Sequence, residues 1–130
     1  MIKTTLINCF GKEKEIKSEK DLLAELSFKE NEGQVIVLLS TMNLGMLTIG
    51  IGKELGFVQH SDDKRAFPYL VATESHNKQT DGSRYEEFSQ GGTLTPIPKS
   101  LCLPMPLVKK ICVQFLETGV LPDFVEWTPI

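Results

Sequence analysis

Two histidines, three cysteines and one tryptophan are all that these 130 residues contain of those types, and each shortage removes a class of chemistry. His60 and His76 stand in polar, loop-like stretches, with neither a HExxH spacing nor a cysteine pair nearby, so a zinc site is not expected. Cys9, Cys102 and Cys112 are odd in number and far from any CxxC spacing, and two lie among apolar residues. They read as reduced, mostly buried thiols rather than a disulfide framework. A Cys–His nucleophile pair would have to meet in space, and no signature supports one. Neither a metal nor any other cofactor is expected.

Long apolar runs are missing too. None approaches the roughly 18 to 20 residues that cross a bilayer. The first ten residues have no basic start, long apolar stretch or small-residue cleavage site. The expectation is a cytoplasmic protein with no membrane partner. Basic excess is also lacking: a net charge of −3 offers no cationic stripe, so direct binding to nucleic acid is not expected.

What is present is a globular composition, 41% hydrophobic and 24% charged, without repeats or low-complexity runs. The length suits one domain spanning 1–130, large enough to bury a core unaided. The acid excess is local. Between Glu54 and Gln90 stand Glu54, Asp62, Asp63, Glu74, Asp81, Glu86 and Glu87 against Lys64, Arg65, Lys78 and Arg84, while the remaining sequence balances. Such a segment is either solvated loop surface or a face complementary to a basic partner, where charge sets association rate and specificity.

Hydrophobic periodicity predicts the elements. Residues 2–10 suit a strand, with Glu13–Lys17 returning as a hairpin. Ser18 followed by Asp21 marks a helix start, and Leu22, Leu23 and Leu26 give that helix one apolar face to about Phe28, where Asn31-Glu32-Gly33 stops it. Strands are expected at Val35–Leu39, Met46–Ile51, Leu55–Gln59 and Tyr69–Ala72, forming a meander, with turns at Asn43-Leu44-Gly45 and Gly52-Lys53-Glu54. Residues 73–83 read as a polar stretch with an Asp81-Gly82 turn. Tyr85–Phe88 and Leu94–Ile97 suit a hairpin across Gln90-Gly91-Gly92.

The clearest element is a helix in which Leu107, Ile111 and Phe115 recur beside Val108, Cys112 and Leu116. Pro104 and Pro106 suit its start, Gly119 its left-handed end, and Pro122 prevents continuation. Phe124–Trp127 looks like a final strand. The fold class expected is α+β: a mostly antiparallel sheet of five to eight short strands with two helices packed on one face.

Gly50, Gly52 and Gly56 have the glycine density of a phosphate loop, but they fall between two strands rather than before a helix. Leu47 and Glu54 also break the GxxxxGK[ST] pattern around Gly52-Lys53. They read as turn glycines. Glu86 and Glu87, adjacent on a strand, point to opposite faces and cannot converge as an acid/base pair. Asp62-Asp63 is read as solvated charge. Trp127 reads as a core anchor for the last strand, with a partner hot spot as the alternative.

The segment PMPLVKKICVQFLETGVLPDFVEW, from Pro104 to Trp127, resembles the first-numbered Imm family of bacterial immunity proteins, found beside polymorphic toxin genes. The residues carrying the resemblance are Pro104, Phe115, Leu116, Thr118, Gly119, Pro122, Val125, Glu126 and Trp127. Leu47-Thr48-Ile49-Gly50-Ile51-Gly52, Phe67-Pro68-Tyr69-Leu70 and Gly91-Gly92 before Thr95-Pro96-Ile97-Pro98 extend it loosely over 45–127. Residues 1–44 fit only in outline.

The resemblance implies a non-catalytic cytoplasmic inhibitor that binds one cognate toxin domain, 1:1, and occludes its active site. The toxin would be secreted or delivered by contact, with nucleases and deaminases the activities often found beside this family. Asp62, Asp63, Glu74, Tyr85, Glu86 and Glu87 are the candidate contacts, and the motif residues are expected to be structural. The alternative is a small enzyme or nucleotide-binding domain using the Gly50–Gly52 loop and His60, which a pocket lined by His60 and acids would favour.

Overall fold

A computed structural model describes residues 5–9, 12–30, 34–41, 45–61, 69–73, 84–90 and 93–129. The expected turns at Asn43-Leu44, Asp81-Gly82 and Gly91-Gly92, the helix stop at Asn31-Glu32-Gly33, and His76 lie outside the described residues.

The fold is α+β. In chain order come β1 (Thr5–Cys9), β2 (Lys12–Ile16), α1 (Glu19–Glu30), β3 (Val35–Thr41), β4 (Gly45–Ile51), β5 (Leu55–Ser61), β6 (Leu70–Thr73), β7 (Tyr85–Gln90) and β8 (Thr93–Pro98). A short 3-10 turn (Lys99–Leu101), β9 (Leu103–Pro104), α2 (Met105–Thr118) and β10 (Glu126–Pro129) follow. Seven strands form one antiparallel path, β10-β6-β5-β4-β3-β1-β2, with the expected meander β3-β4-β5-β6 at its centre. β7 joins β3 in parallel at Val35↔Ser89 and carries β8 antiparallel beside it. β9 pairs with the start of β5.

Strand alternation divides the buried side chains between two cores. On one face, Val35, Val37, Leu39, Leu47, Ile49, Ile51, Val58 and Ala72 pack under the helices. On the other, Ile36 and Phe57 meet Phe88 of β7 and Cys102. The rings of Phe57 and Phe88 lie edge to face, 5.1 Å between centroids. Both helices therefore cover one face, and the β7–β8 hairpin covers part of the other.

α1 starts as expected: the Asp21 N–H donates to Ser18 Oγ (3.1 Å), and the Lys17 N–H donates to the Asp21 carboxylate (3.2 Å). Leu22 and Leu26 are fully buried. In α2 the buried stripe is Met105, Val108, Ile111, Cys112, Phe115 and Leu116, with Leu107 half-buried at its margin. Burial of each such large side chain stabilises the fold by about 1.5–3 kcal/mol relative to exposure.

Three expectations need correction. The last strand is Glu126–Pro129, so Phe124 and Val125 precede it. The shift arises because the Trp127 indole N–H donates to the Pro122 carbonyl (2.8 Å), which keeps 122–125 in a tight bend. His60 lies in β5, not a loop, with its ring edge-on to Phe115 at 6.0 Å. Only Gly52 of the three glycines sits in the turn. Gly50 and Gly56 are strand residues at a close approach: a Cβ on Gly50 would enter the Phe57 ring, and one on Gly56 would meet the Gly50 carbonyl and Met105 Sδ.

The β10 edge resists strand addition, because the strand is short and ends in Pro129. Along β8, the Lys99 N–H bonds to the Arg84 carbonyl (3.0 Å), which fixes the parity of the ladder. Residues 93, 95 and 97 then point their backbone groups at β7, while 94, 96 and 98 point outward. Pro96 and Pro98 occupy two of those three outward positions and carry no N–H.

Substituting Gly56 by alanine is expected to destabilise the protein by about 1–3 kcal/mol through overpacking against the Gly50 carbonyl and Met105. Urea unfolding measures it, and an unchanged midpoint would show that the sheet column can widen at no cost.

Candidate protein-binding face

Three of the six residues expected to contact a partner, Tyr85, Glu86 and Glu87, lie on β7; Asp62, Asp63 and Glu74 lie outside the described residues. The hairpin register separates the three on β7. Tyr85↔Pro98, Glu87↔Pro96 and Ser89↔Leu94 share the outer face, and Glu86↔Ile97 and Phe88↔Thr95 share the inner one. Tyr85 is 52% exposed and Leu94 58%, with Glu87 and Pro96 exposed between them. Glu86 instead is half-buried and pairs with Lys99 (3.4 Å). Its charge is partly spent inside the protein.

Gln34 fastens this hairpin to the sheet. Its carbonyl accepts the Ser89 N–H (2.8 Å), and its side-chain amide donates to the Glu87 carbonyl (2.7 Å). Phe88 is fully buried beneath. Position of the face thus depends on inward groups, while its outer side chains Tyr85, Glu87, Leu94 and Pro96 are exposed. Leu94 and Pro96 were missed as candidates. The alternation in Thr93-Leu94-Thr95-Pro96-Ile97-Pro98, set against Tyr85 and Glu87 by the hairpin register, is the signal that could have found them.

The glycine loop offers no cradle. Phe57 fills the space at Gly50, and the Leu55 carbonyl and Gln34 Oε1 crowd Gly52. A hollow of about 620 Å³ lies along the outer side of α1, lined by Ser18, Glu19, Lys20, Leu23, Ala24 and Ser27, and none of the expected site residues belongs to it. Among the described residues no group of three or more His, Cys, Asp or Glu could hold a metal ion, and no helix is long and apolar enough to cross a membrane.

The motif from Pro104 to Trp127 builds a helix and its exit. Pro104 caps α2, and Phe115 and Leu116 are fully buried. Thr118 Oγ donates to the Gln114 carbonyl (2.9 Å) and accepts the Val120 N–H (3.1 Å). Gly119 sits at φ 73°, and its N–H closes on the Phe115 carbonyl (2.9 Å), a left-handed cap that favours glycine. Pro122 is buried and accepts the Trp127 indole N–H, Val125 is buried, and Glu126 is exposed on β10. Trp127 packs half-buried against the helix-side core, opposite Ala72 of β6. The residues expected to be structural are held together as one terminal unit, apart from the outer hairpin face.

Fold and motif together define an α+β protein whose last helix is locked to an edge strand by a Thr-Gly cap and a proline–tryptophan bond. The sequence model of the Imm1 family, described as immunity protein Imm1, matches residues 14–129, and the chain belongs to this family of immunity proteins. No curated protein matches the chain.

Cys102 and Cys112 are free and buried. Burial raises the Cys112 thiol to about 12; burial, then the Glu86 charge, raise Cys102 to about 11 against the opposing pull of Lys99. Both therefore stay protonated in the folded state while the unfolded thiols ionise near 9. The native state holds the extra protons, so this contribution to stability is complete below pH 9 and is lost as the pH rises toward 11–12. Unfolding midpoints followed from pH 8 upward are expected to fall less steeply for Cys112→Ala than for the parent. Parallel slopes for the two proteins would contradict a buried neutral thiol.

Proposed function

We propose that this chain is a non-catalytic immunity protein that binds one cognate toxin domain, 1:1, in the cytoplasm and neutralises it by covering its active site. Family membership over residues 14–129 is the observation that carries the reading. Physical support comes from the acid excess between Glu54 and Gln90, which suits a toxin with a basic substrate groove, as a nuclease or deaminase acting on nucleic acid requires. The whole chain works as one domain, with no cofactor and no direct contact to nucleic acid or membrane.

The contact surface is proposed to include Asp62, Asp63 and Glu74 together with Tyr85 and Glu87 on the outer hairpin face. Glu86 belongs to the same segment, but its bond to Lys99 gives it a supporting role at the hairpin base. Rim carboxylates of this kind act mainly on the association rate, and exposed aromatic groups on the dissociation rate.

The deciding experiment titrates the purified chain against the toxin domain encoded beside its gene, with the toxin's activity followed in parallel. Binding at nanomolar concentration, 1:1, with activity lost in proportion, is expected. A toxin that stays active while saturated with this chain would refute neutralisation, and absence of binding would refute the pairing.

A further inference from the structure

The outer face of the hairpin has a feature that the acid count does not convey. Among the described residues, its outer edge presents more acceptors than donors. The backbone of residues 94, 96 and 98 points away from β7, and two of the three are prolines, so the edge retains their carbonyls and only the Leu94 N–H. The Pro98 carbonyl is taken by Cys102 Sγ (3.7 Å), and those of Leu94 and Pro96 have no partner among the described residues. Directly across from Pro96, in a pair without its own ladder hydrogen bonds, stands Glu87, exposed and in no ion pair among the described residues. Side chains in such pairs approach closely, at about 4.5 Å between Cα atoms. The exposed Tyr85 ring is the next residue on the same face toward the hairpin base, and the exposed Leu94 borders the other end.

A carboxylate, a bare carbonyl edge and an aromatic ring, rimmed by an apolar side chain, are together complementary to one side chain above others. We infer that this face seats an arginine of the toxin, its guanidinium shared between Glu87 and the Pro96 carbonyl and its plane against Tyr85, with Leu94 excluding water. Arginine fits better than lysine because its planar fork donates in two directions at once and stacks on an aromatic ring. Arg, Tyr and Trp are also the residues on which interface energy concentrates. Strand addition is not the mode of docking, since this edge lacks the donors a ladder needs.

The other exposed apolar spot serves this purpose less well. Val120 and Phe124 lie beyond α2, and the Lys110 ammonium already stands 4.8 Å from the centre of the Phe124 ring. A cationic side chain from a partner would meet a like charge there.

The inference rests on the immunity reading, and the test separates the two. Affinity for the toxin domain is measured for the parent, Glu87→Gln, Glu87→Arg, Tyr85→Leu and, as a control on the exposed side of α2, Glu117→Gln, with thermal unfolding of each. All three positions are exposed, so unfolding midpoints should stay at the parent value. Glu87→Gln is expected to weaken binding about tenfold or more and to flatten its salt dependence, as loss of a charged hydrogen bond does. Glu87→Arg should abolish binding and be rescued by an arginine-to-glutamate change in the toxin, while Glu117→Gln binds like the parent. Unchanged affinity for Glu87→Gln, with a parent that binds and protects, overturns the arginine seat and leaves the immunity reading standing. A parent that fails to bind overturns both.

Discussion

Gly50 and Gly56 occupy neighbouring strands, and the two missing Cβ atoms set the spacing of everything above and below the sheet. On the helix side, Met105 takes the room over Gly56, so α2 begins against β5, where the Met105 N–H also bonds to the Glu54 carbonyl (2.9 Å). On the opposite side Phe57 lies over Gly50 and reaches Phe88. One column of the sheet thus positions both the helix layer and the hairpin. A methyl group at either glycine would push the two layers apart together, because interiors at crystal-like density transmit such displacements rather than absorb them.

That column is also where reading the sequence fell short. Glycine between two strand-like runs reads as turn chemistry, and for Gly52 this holds. For Gly50 and Gly56 the reason for glycine lies in contacts with Phe57 and Met105, and for Met105 the contact comes from 49 positions along the chain from Gly56. His60 was misplaced for a related reason: its polar neighbours Gln59 and Ser61 look away from the helices while His60 faces Phe115. Where the pattern is local, it was legible. Ser18 and Asp21 cap α1, the four-residue spacing locates α2, and the alternation in 35–59 gives the meander with strand ends shifted by two residues at most. Strand ends depend on partners, which explains why β10 starts two residues late.

The candidate face divides along the same line. That Glu86 and Glu87 diverge follows from the period of a strand and needs no structure. That Glu86 meets Lys99, and that Pro96 and Leu94 join Glu87 and Tyr85, depends on hairpin register, which the sequence leaves open wherever a turn can slip. Asp62, Asp63 and Glu74 lie outside the described residues and carry a charge argument alone.

Anchoring and the proposed recognition use different atoms of the same two strands. Phe88, Ile97, Gln34 and the Glu86–Lys99 pair hold the hairpin from its inner face and its base, while Tyr85, Glu87, Leu94 and Pro96 contribute no buried contact to the core. Substitutions on the outer face therefore cost the fold little, as surface changes usually do. An inhibitor that must match one partner among many related ones gains from that separation, because the matching residues can change while Phe88 and Gln34 keep the face in place. Pro96 and Pro98 serve both sides of the division. Their missing N–H groups deny the edge to stray strands, and the Pro96 carbonyl stays open to the proposed guanidinium.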